Sequence, residues 1–347
     1  MMTKEKKQFI SFVKGVLIIL VVFAHCIQYG GTLSNQIFEN KVFQVIYSFH
    51  MPLFALISGY LYGLQLEKYG QGELIVRKAA SMIPPILSWG IISTLIHAFF
   101  YILNCREILF TQIMHLYLNQ ILESWWFVWG VLYCSFIVGV LYYNNLPVWL
   151  YPLIGVMLIL IPDIGNIELY NYIYPFFAIG CAVKKIAGVE CLKIFNAANK
   201  KFGLLAIALI YIIMIYNYKS RYFIYISGIS LLSTHDIFEQ MYINIYRFVI
   251  GGTGCILALY VSKKIFDLSS LKRMNQLLCY IGDRSMTIYM FSIMLNDPIL
   301  VRIGQRINNN SFAVIIFETV IIIGTSLVVN NILSRNAKLR KIFLGNR

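Results

Sequence analysis

Apolar residues run along this chain in long blocks separated by short polar segments. The first block, FISFVKGVLIILVVFAHCIQYGG from Phe9 to Gly31, exceeds the roughly 20 residues that a bilayer-crossing helix needs. The pattern predicts spans at 9–29, 42–64, 80–103, 123–143, 147–162, 169–187, 202–218, 241–262, 275–300 and 312–333. Backbone groups in lipid must be satisfied within each segment, so every span is expected to be helical. The expected fold class is therefore all-α, a polytopic membrane helical bundle with about ten transmembrane helices. The fifth span is short and lies between Pro147 and Pro162. The first block shows no small-residue cleavage signal and is too long for a signal-peptide core, so it is expected to stay as the first span.

Two ionisable residues interrupt that first block, and such groups inside a membrane are costly and usually functional. Lys14 and His25 are eleven positions apart. Steps of about 100° bring them to one helix face, roughly 16 Å apart along the axis. One can meet an anion near the first membrane surface while the other does proton chemistry towards the second. The next block carries FHMPLFALISGYLYG, Phe49 to Gly63, and returns from the outer side as the second arm of a hairpin. His50 falls at a depth similar to His25, so the two histidines could share a proton or divide acid and base roles. Pro52 weakens the local hydrogen-bond ladder and can open space beside His50. Ser58-Gly59-Tyr60 allows another helix or a ligand to approach the backbone.

Other positions are weaker signals. Arg77 and Lys78 open the third span ahead of Pro84-Pro85, placed to hold a phosphate-bearing ligand. Trp125-Trp126 start the fourth span at the depth of an aromatic belt. His97 lies in a span, His115 in an outer loop, and His235 shares an outer loop with Asp236 and Glu239. Each has a bland counterpart: a lysine can snorkel to headgroups and a buried histidine can bond a neighbouring helix. The spacing, the shared face and the second histidine on the hairpin partner are what favour function for Lys14, His25 and His50.

Composition agrees with the pattern. The chain is 59% hydrophobic and only 13% charged, against about 25% charged in soluble domains. A net charge of +14 raises the question of nucleic acid, but the distribution answers it. With the N-terminus inside, the outer side receives only Lys41, Arg106, Lys219, Arg221, Arg247, Arg302 and Arg306. Most other basic residues gather on the inner side, which makes both termini cytoplasmic and the charge a matter of topology and anionic lipid. No nucleic-acid partner is expected. The seven cysteines form no CxxC pair or zinc-spaced cluster, so neither a disulfide framework nor a metal is expected. Without repeats or low-complexity segments, 1–347 is expected to be a single domain. Phosphate-binding loops, dinucleotide fingerprints, GxSxG elbows and HExxH are all missing, so any catalysis must use intramembrane residues and a diffusible cosubstrate.

These motifs together resemble the acyltransferase-3 group of integral membrane acyltransferases. Lys14-x10-His25 is similar to that family's first-helix motif, with lysine where arginine is usual. Phe49 through Phe54 and Ser58-Gly59-Tyr60 look like its second-helix pattern. Arg77-Lys78 to Pro84 resembles the basic entry to its third helix. Trp126-Phe127 and Tyr174-Pro175-Phe176-Phe177 to Gly180 look like its middle landmarks. Gly282 and Ser285 to Tyr289 are similar to a late G-x-x-S-x-x-x-Y motif. The chain departs from the pattern at Ala80 and Ser81, where a second arginine often occurs, and at Ser292, where many members have a histidine. Lysine at 14 keeps the charge but loses the bidentate fork of arginine.

The resemblance implies a stand-alone multi-pass enzyme of the cell membrane, with no appended soluble domain, that O-acetylates an envelope polysaccharide or its lipid-linked precursor. Its cosubstrate would be acetyl-CoA, held by Lys14, Arg77 and Lys78, with no metal. His25 would be the general base or a transient acyl carrier, His50 would orient or relay, and Ser58, Tyr60 and Trp126 would meet the glycan acceptor. The competing reading is a transporter or flippase of lipid-linked glycans, against which no paired halves or broken-helix repeats are detected.

Overall fold

The computed structural model describes residues 3–30, 37–70, 72–103, 109–187, 200–302 and 312–345. Among them are fourteen α-helices and no strand. In chain order they are α1 (Lys4–Gly30), α2 (Lys41–Leu66), α3 (Glu73–Leu103), α4 (Phe110–Asn119), α5 (Trp126–Tyr143), α6 (Leu150–Leu158) and α7 (Ile167–Ala187). There follow α8 (Lys200–Tyr216), α9 (Ile224–Ser227), α10 (Ile237–Phe266), α11 (Lys272–Asp283), α12 (Ser285–Leu295), α13 (Phe312–Ser334) and α14 (Ala337–Leu344). Six of them, α1, α2, α3, α5, α10 and α13, are long and apolar enough to cross a membrane. The chain is an all-α polytopic membrane bundle. Large apolar side chains such as Leu95, Phe99, Ile212, Phe317 and Val320 face outwards, as a lipid environment allows.

Two expected segments differ. The block at 275–300 is not one continuous span: α11 ends at Asp283 and α12 begins at Ser285. The guanidinium of Arg284, at the junction, folds back over the Tyr280 ring and donates to the Tyr280 carbonyl at 3.0 Å. An acceptor at the end of α11 thereby finds its partner in a side chain, and the helix stops. Arg247, counted on the outer side and within the expected span 241–262, is buried in α10. It donates to the carbonyls of Arg221, Tyr222, Phe223 and Gly228 and so ties down the connection between α8 and α10. α6, within the expected span at 147–162, has nine residues, about 13 Å of helix against a hydrocarbon core of about 30 Å.

Glycines set the tightest packing. α2 makes its most extensive contact with α7, and α1 with α11. A Cβ on Gly59 would run into the Phe177 carbonyl, and one on Gly180 into the Leu56 carbonyl. Each approach is this close because the glycine has no side chain to hold the facing carbonyl away. Gly15 and Gly282 do the same for α1 and α11, where the Ser11 hydroxyl also donates to Asp283 at 2.5 Å. At one end of the bundle Lys263 bridges Glu5 and Asp267, and Lys184 pairs with Glu67. The start of α1 and the ends of α2, α7 and α10 therefore share a face. α14 folds back onto α3, with the Trp89 indole donating to the Phe343 carbonyl at 3.2 Å.

Candidate active site

Two cavities lie one above the other between α1, α2, α5 and α12. The inner one, about 100 Å³, is lined by Lys14, Ile18 and Val21 of α1, Met51, Phe54 and Ser58 of α2, Phe127, Val128 and Val131 of α5, and Ser285, Met286 and Tyr289 of α12. The outer one, about 420 Å³, lies further along the same helices. It meets His25, Gln28 and Tyr29 of α1, Phe43 and Tyr47 of α2, Trp126 of α5 and Ile293 of α12. On α1 the stripe Lys14, Ile18, Val21, His25, Gln28 advances by three or four residues each time, one face of a 3.6-residue helix. A single helical face thus supplies the ammonium to one cavity and the imidazole to the other. Between the two, Phe127 packs against Phe54 and Tyr289, with ring centroids 5.8 and 6.2 Å apart.

The imidazole of His25 stands edge-on to Tyr29, ring centroids 6.1 Å apart, and its Nδ1 is buried without a hydrogen-bond partner. A histidine kept only for packing would be expected to spend that nitrogen on a neighbour, because an unmet polar atom in the interior costs about 1–3 kcal/mol. His50 is not among the lining residues. It is buried behind Tyr47, ring centroids 4.8 Å apart, with Nδ1 2.7 Å from the Ile46 carbonyl. A carbonyl can only accept, so Nδ1 of His50 carries the proton and Nε2 of the neutral ring is the basic nitrogen. Tyr47 in turn donates to the Gln28 amide oxygen at 3.0 Å, joining α2 to α1 across the outer cavity.

The other sequence candidates separate clearly. Ser58 shares the inner cavity with Lys14, and Trp126 shares the outer cavity with His25. Tyr60 lines neither; its backbone packs against Gly180 of α7, so the Ser58-Gly59-Tyr60 turn serves a ligand-facing side and a helix-facing side at once. Arg77 and Lys78 also lie outside both cavities. Arg77 is exposed, pairs with Glu73 one turn earlier at 2.8 Å and sits over the Tyr69 ring. Lys78 is placed over the Tyr62 ring.

The outer cavity also gathers residues that periodicity did not bring forward. His97 of α3 lines it, with Nδ1 2.8 Å from the Ser93 carbonyl and a buried, unpartnered Nε2. By the same logic as for His50, that Nε2 is a bare acceptor. Glu123 arrives from a π-helical turn, Gln120–Ser124, and Glu168 from the first turn of α7. Asn166 fastens these two segments, its amide donating to the carbonyls of Leu122 and Glu123 at 3.2 and 3.3 Å. The sequence signal for these groups was local, acidic residues flanking predicted spans, and only the fold sets them beside His25. Among the described residues no cluster of His, Cys, Asp and Glu is arranged to hold a metal ion.

Comparison with known proteins places this geometry in context. The family model described as "Acyltransferase domain" matches residues 7–332. The chain is similar to the nodulation protein NolL of Sinorhizobium fredii, 33% identical over 178 residues, 49% of this chain and 46% of that protein. It is also similar to NolL of Mesorhizobium japonicum, 28% identical over 184 residues, 51% of this chain and 48% of the relative. The alignments thus span about half the length of these relatives. No solved structure matches.

Proposed function

The chain belongs to the acyltransferase family and is a membrane acyltransferase; from that premise we propose that it moves an acetyl group from cytoplasmic acetyl-CoA to a hydroxyl of a cell-surface polysaccharide or its lipid-linked precursor. The observation that carries the reading is the α1 stripe, which puts Lys14 in the inner cavity and an imidazole with an unpartnered nitrogen in the outer one. The enzyme sits in the plasma membrane with both termini in the cytoplasm. The shared face of the Lys263–Glu5 and Lys184–Glu67 pairs supports that placement, together with the basic residues gathered on that side.

The inner cavity, about 100 Å³, is far too small for a whole coenzyme. It accommodates the acyl end of the donor arm, with Lys14 and Ser58 as donors along the arm and the thioester carried to the Phe127 boundary with the outer cavity, while the nucleotide phosphates stay at the cytoplasmic surface where Arg77 and Lys78 open α3. In the transfer, His25 takes the proton of the acceptor hydroxyl as its oxygen attacks the thioester carbonyl. A new C–O bond forms, the C–S bond breaks, and the coenzyme thiolate leaves and is protonated. His50, one side chain behind Tyr47, orients the groups around His25. A positioned general base contributes about 10²–10⁴ in rate. Purified wild type and His25→Ala, matched for folded protein by size-exclusion chromatography, should differ by that factor in acetyl transfer. Equal transfer by a folded His25→Ala protein would overturn the assignment.

A further inference from the structure

The chemistry of acyl transfer does not account for the charge of the outer cavity. Among the described residues that line it, the charged groups are the carboxylates of Glu123 and Glu168, with no lysine or arginine. No protein donor among the described residues engages either carboxylate, so both stand as unused acceptors facing the cavity. Arg247 lies near enough to influence Glu168. All five of its N–H groups, however, are committed to Arg221, Tyr222, Phe223, Gly228, Ser227 and Asn244. It has no donor left for a ligand. Asp163, a further negative charge close to Glu168, accepts the amides of Ile229 and Ser230. The same cavity is lined by the aromatic rings of Trp126 and Tyr225, and the C–H face of a sugar ring can stack on such rings.

We infer that the acceptor site selects a glycan free of acidic groups, with one ring stacked on Trp126 and its hydroxyls donating to Glu123 and Glu168. Such hydroxyl–carboxylate bonds are charge-assisted and short. A uronate or phosphate on the same ring would lie beside two carboxylates with no cation among the described lining residues to offset it, and like charges at close range repel. The Asn166 clasp between the π-turn and α7 holds the two carboxylates in register, so selection is built into the resting site. This inference rests on the acyl-transfer reading and narrows its acceptor.

The test uses purified full-length protein in lipid nanodiscs, acetyl-CoA as donor, and two probes of equal length: a tetrasaccharide of N-acetylglucosamine and tetragalacturonate. Mass spectrometry of the products and release of free coenzyme are read together. Wild type should acetylate the neutral probe at least about tenfold better than the acidic one. Glu168→Gln, and Glu123→Gln made in parallel, should raise KM for the neutral probe about tenfold and narrow the discrimination, the loss expected for one charge-assisted hydrogen bond. Equal or better acetylation of tetragalacturonate overturns the inference. So does acetylation of neither probe while acetyl-CoA is still hydrolysed in a His25-dependent way, an outcome that leaves acyl transfer standing. Neither transfer nor His25-dependent hydrolysis overturns the donor assignment itself, and the acceptor inference with it.

Discussion

The two cavities differ in the way that a two-substrate membrane enzyme requires. The inner one is about 100 Å³, walled by apolar side chains around one ammonium and the hydroxyls of Ser58, Ser285 and Tyr289. The outer one, about 420 Å³, has two histidines, two carboxylates, several amides and four aromatic rings with polar edges. A small, nearly uniform chamber suits an acyl group that is the same in every turnover. A larger chamber with many separately placed polar groups suits a substrate that must be told apart from its relatives. On the proposed reading, recognition of the donor is concentrated on one charge and on the surface outside, while recognition of the acceptor is distributed over seven α-helices and the turns that connect them.

That division can be attacked one residue at a time. The largest effect belongs to His25→Ala, which should lower kcat by about 10²–10⁴ while leaving KM for acetyl-CoA within about twofold. A donor KM that rises in step with the loss would mean that the two chambers act as one. Next, Lys14→Ala should raise KM for acetyl-CoA about 10- to 100-fold, the loss of a charge-assisted contact, with little change in acceptor KM. Lys14→Arg should keep most of the affinity if the contact is a charge. Third, Trp126→Ala should raise acceptor KM about tenfold without touching the donor, measured with the neutral tetrasaccharide. Smallest is Arg77→Ala. Its pair with Glu73 is exposed and contributes only about 0.3–0.5 kcal/mol to the protein, and a single phosphate contact made by Arg77 at that solvent-screened surface predicts a donor KM change below about threefold. A tenfold change there would place the coenzyme phosphates on α3 as the main anchor.

The reach of the sequence differs between the same two regions. Hydrophobic blocks gave most helices to within a few residues, because a bilayer imposes length and apolarity on anything that crosses it. The α1 face joining Lys14 to His25 was legible for a similar reason: both residues are on one helix, and 3.6-residue periodicity fixes their relation. The outer cavity was only partly legible. His97, Glu123 and Glu168 come from three segments far apart in sequence, and nothing local encodes their meeting. The burial of Arg247 was not legible either, because sequence alone does not show the carbonyls of 221–228 folding over it. The break at Arg284 was hidden by the apolar residues on both sides, since hydropathy averages over a junction that one folded-back side chain creates.

The glycine contact between α2 and α7 also has a consequence in time. Gly59 and Gly180 are about 120 residues apart in the chain. At a synthesis rate of about 5–20 residues per second, α2 waits roughly 6–24 s in the translation machinery's surroundings before its partner exists. Throughout that interval its bare backbone groove faces lipid or a helper protein, and the groove is filled only once more than half of the chain has been made. The hairpin that carries His25 and His50 thus enters the bilayer early and acquires its firmest support late. Premature termination anywhere before α7 should yield fragments that membrane quality-control proteases recognise through this unfilled groove.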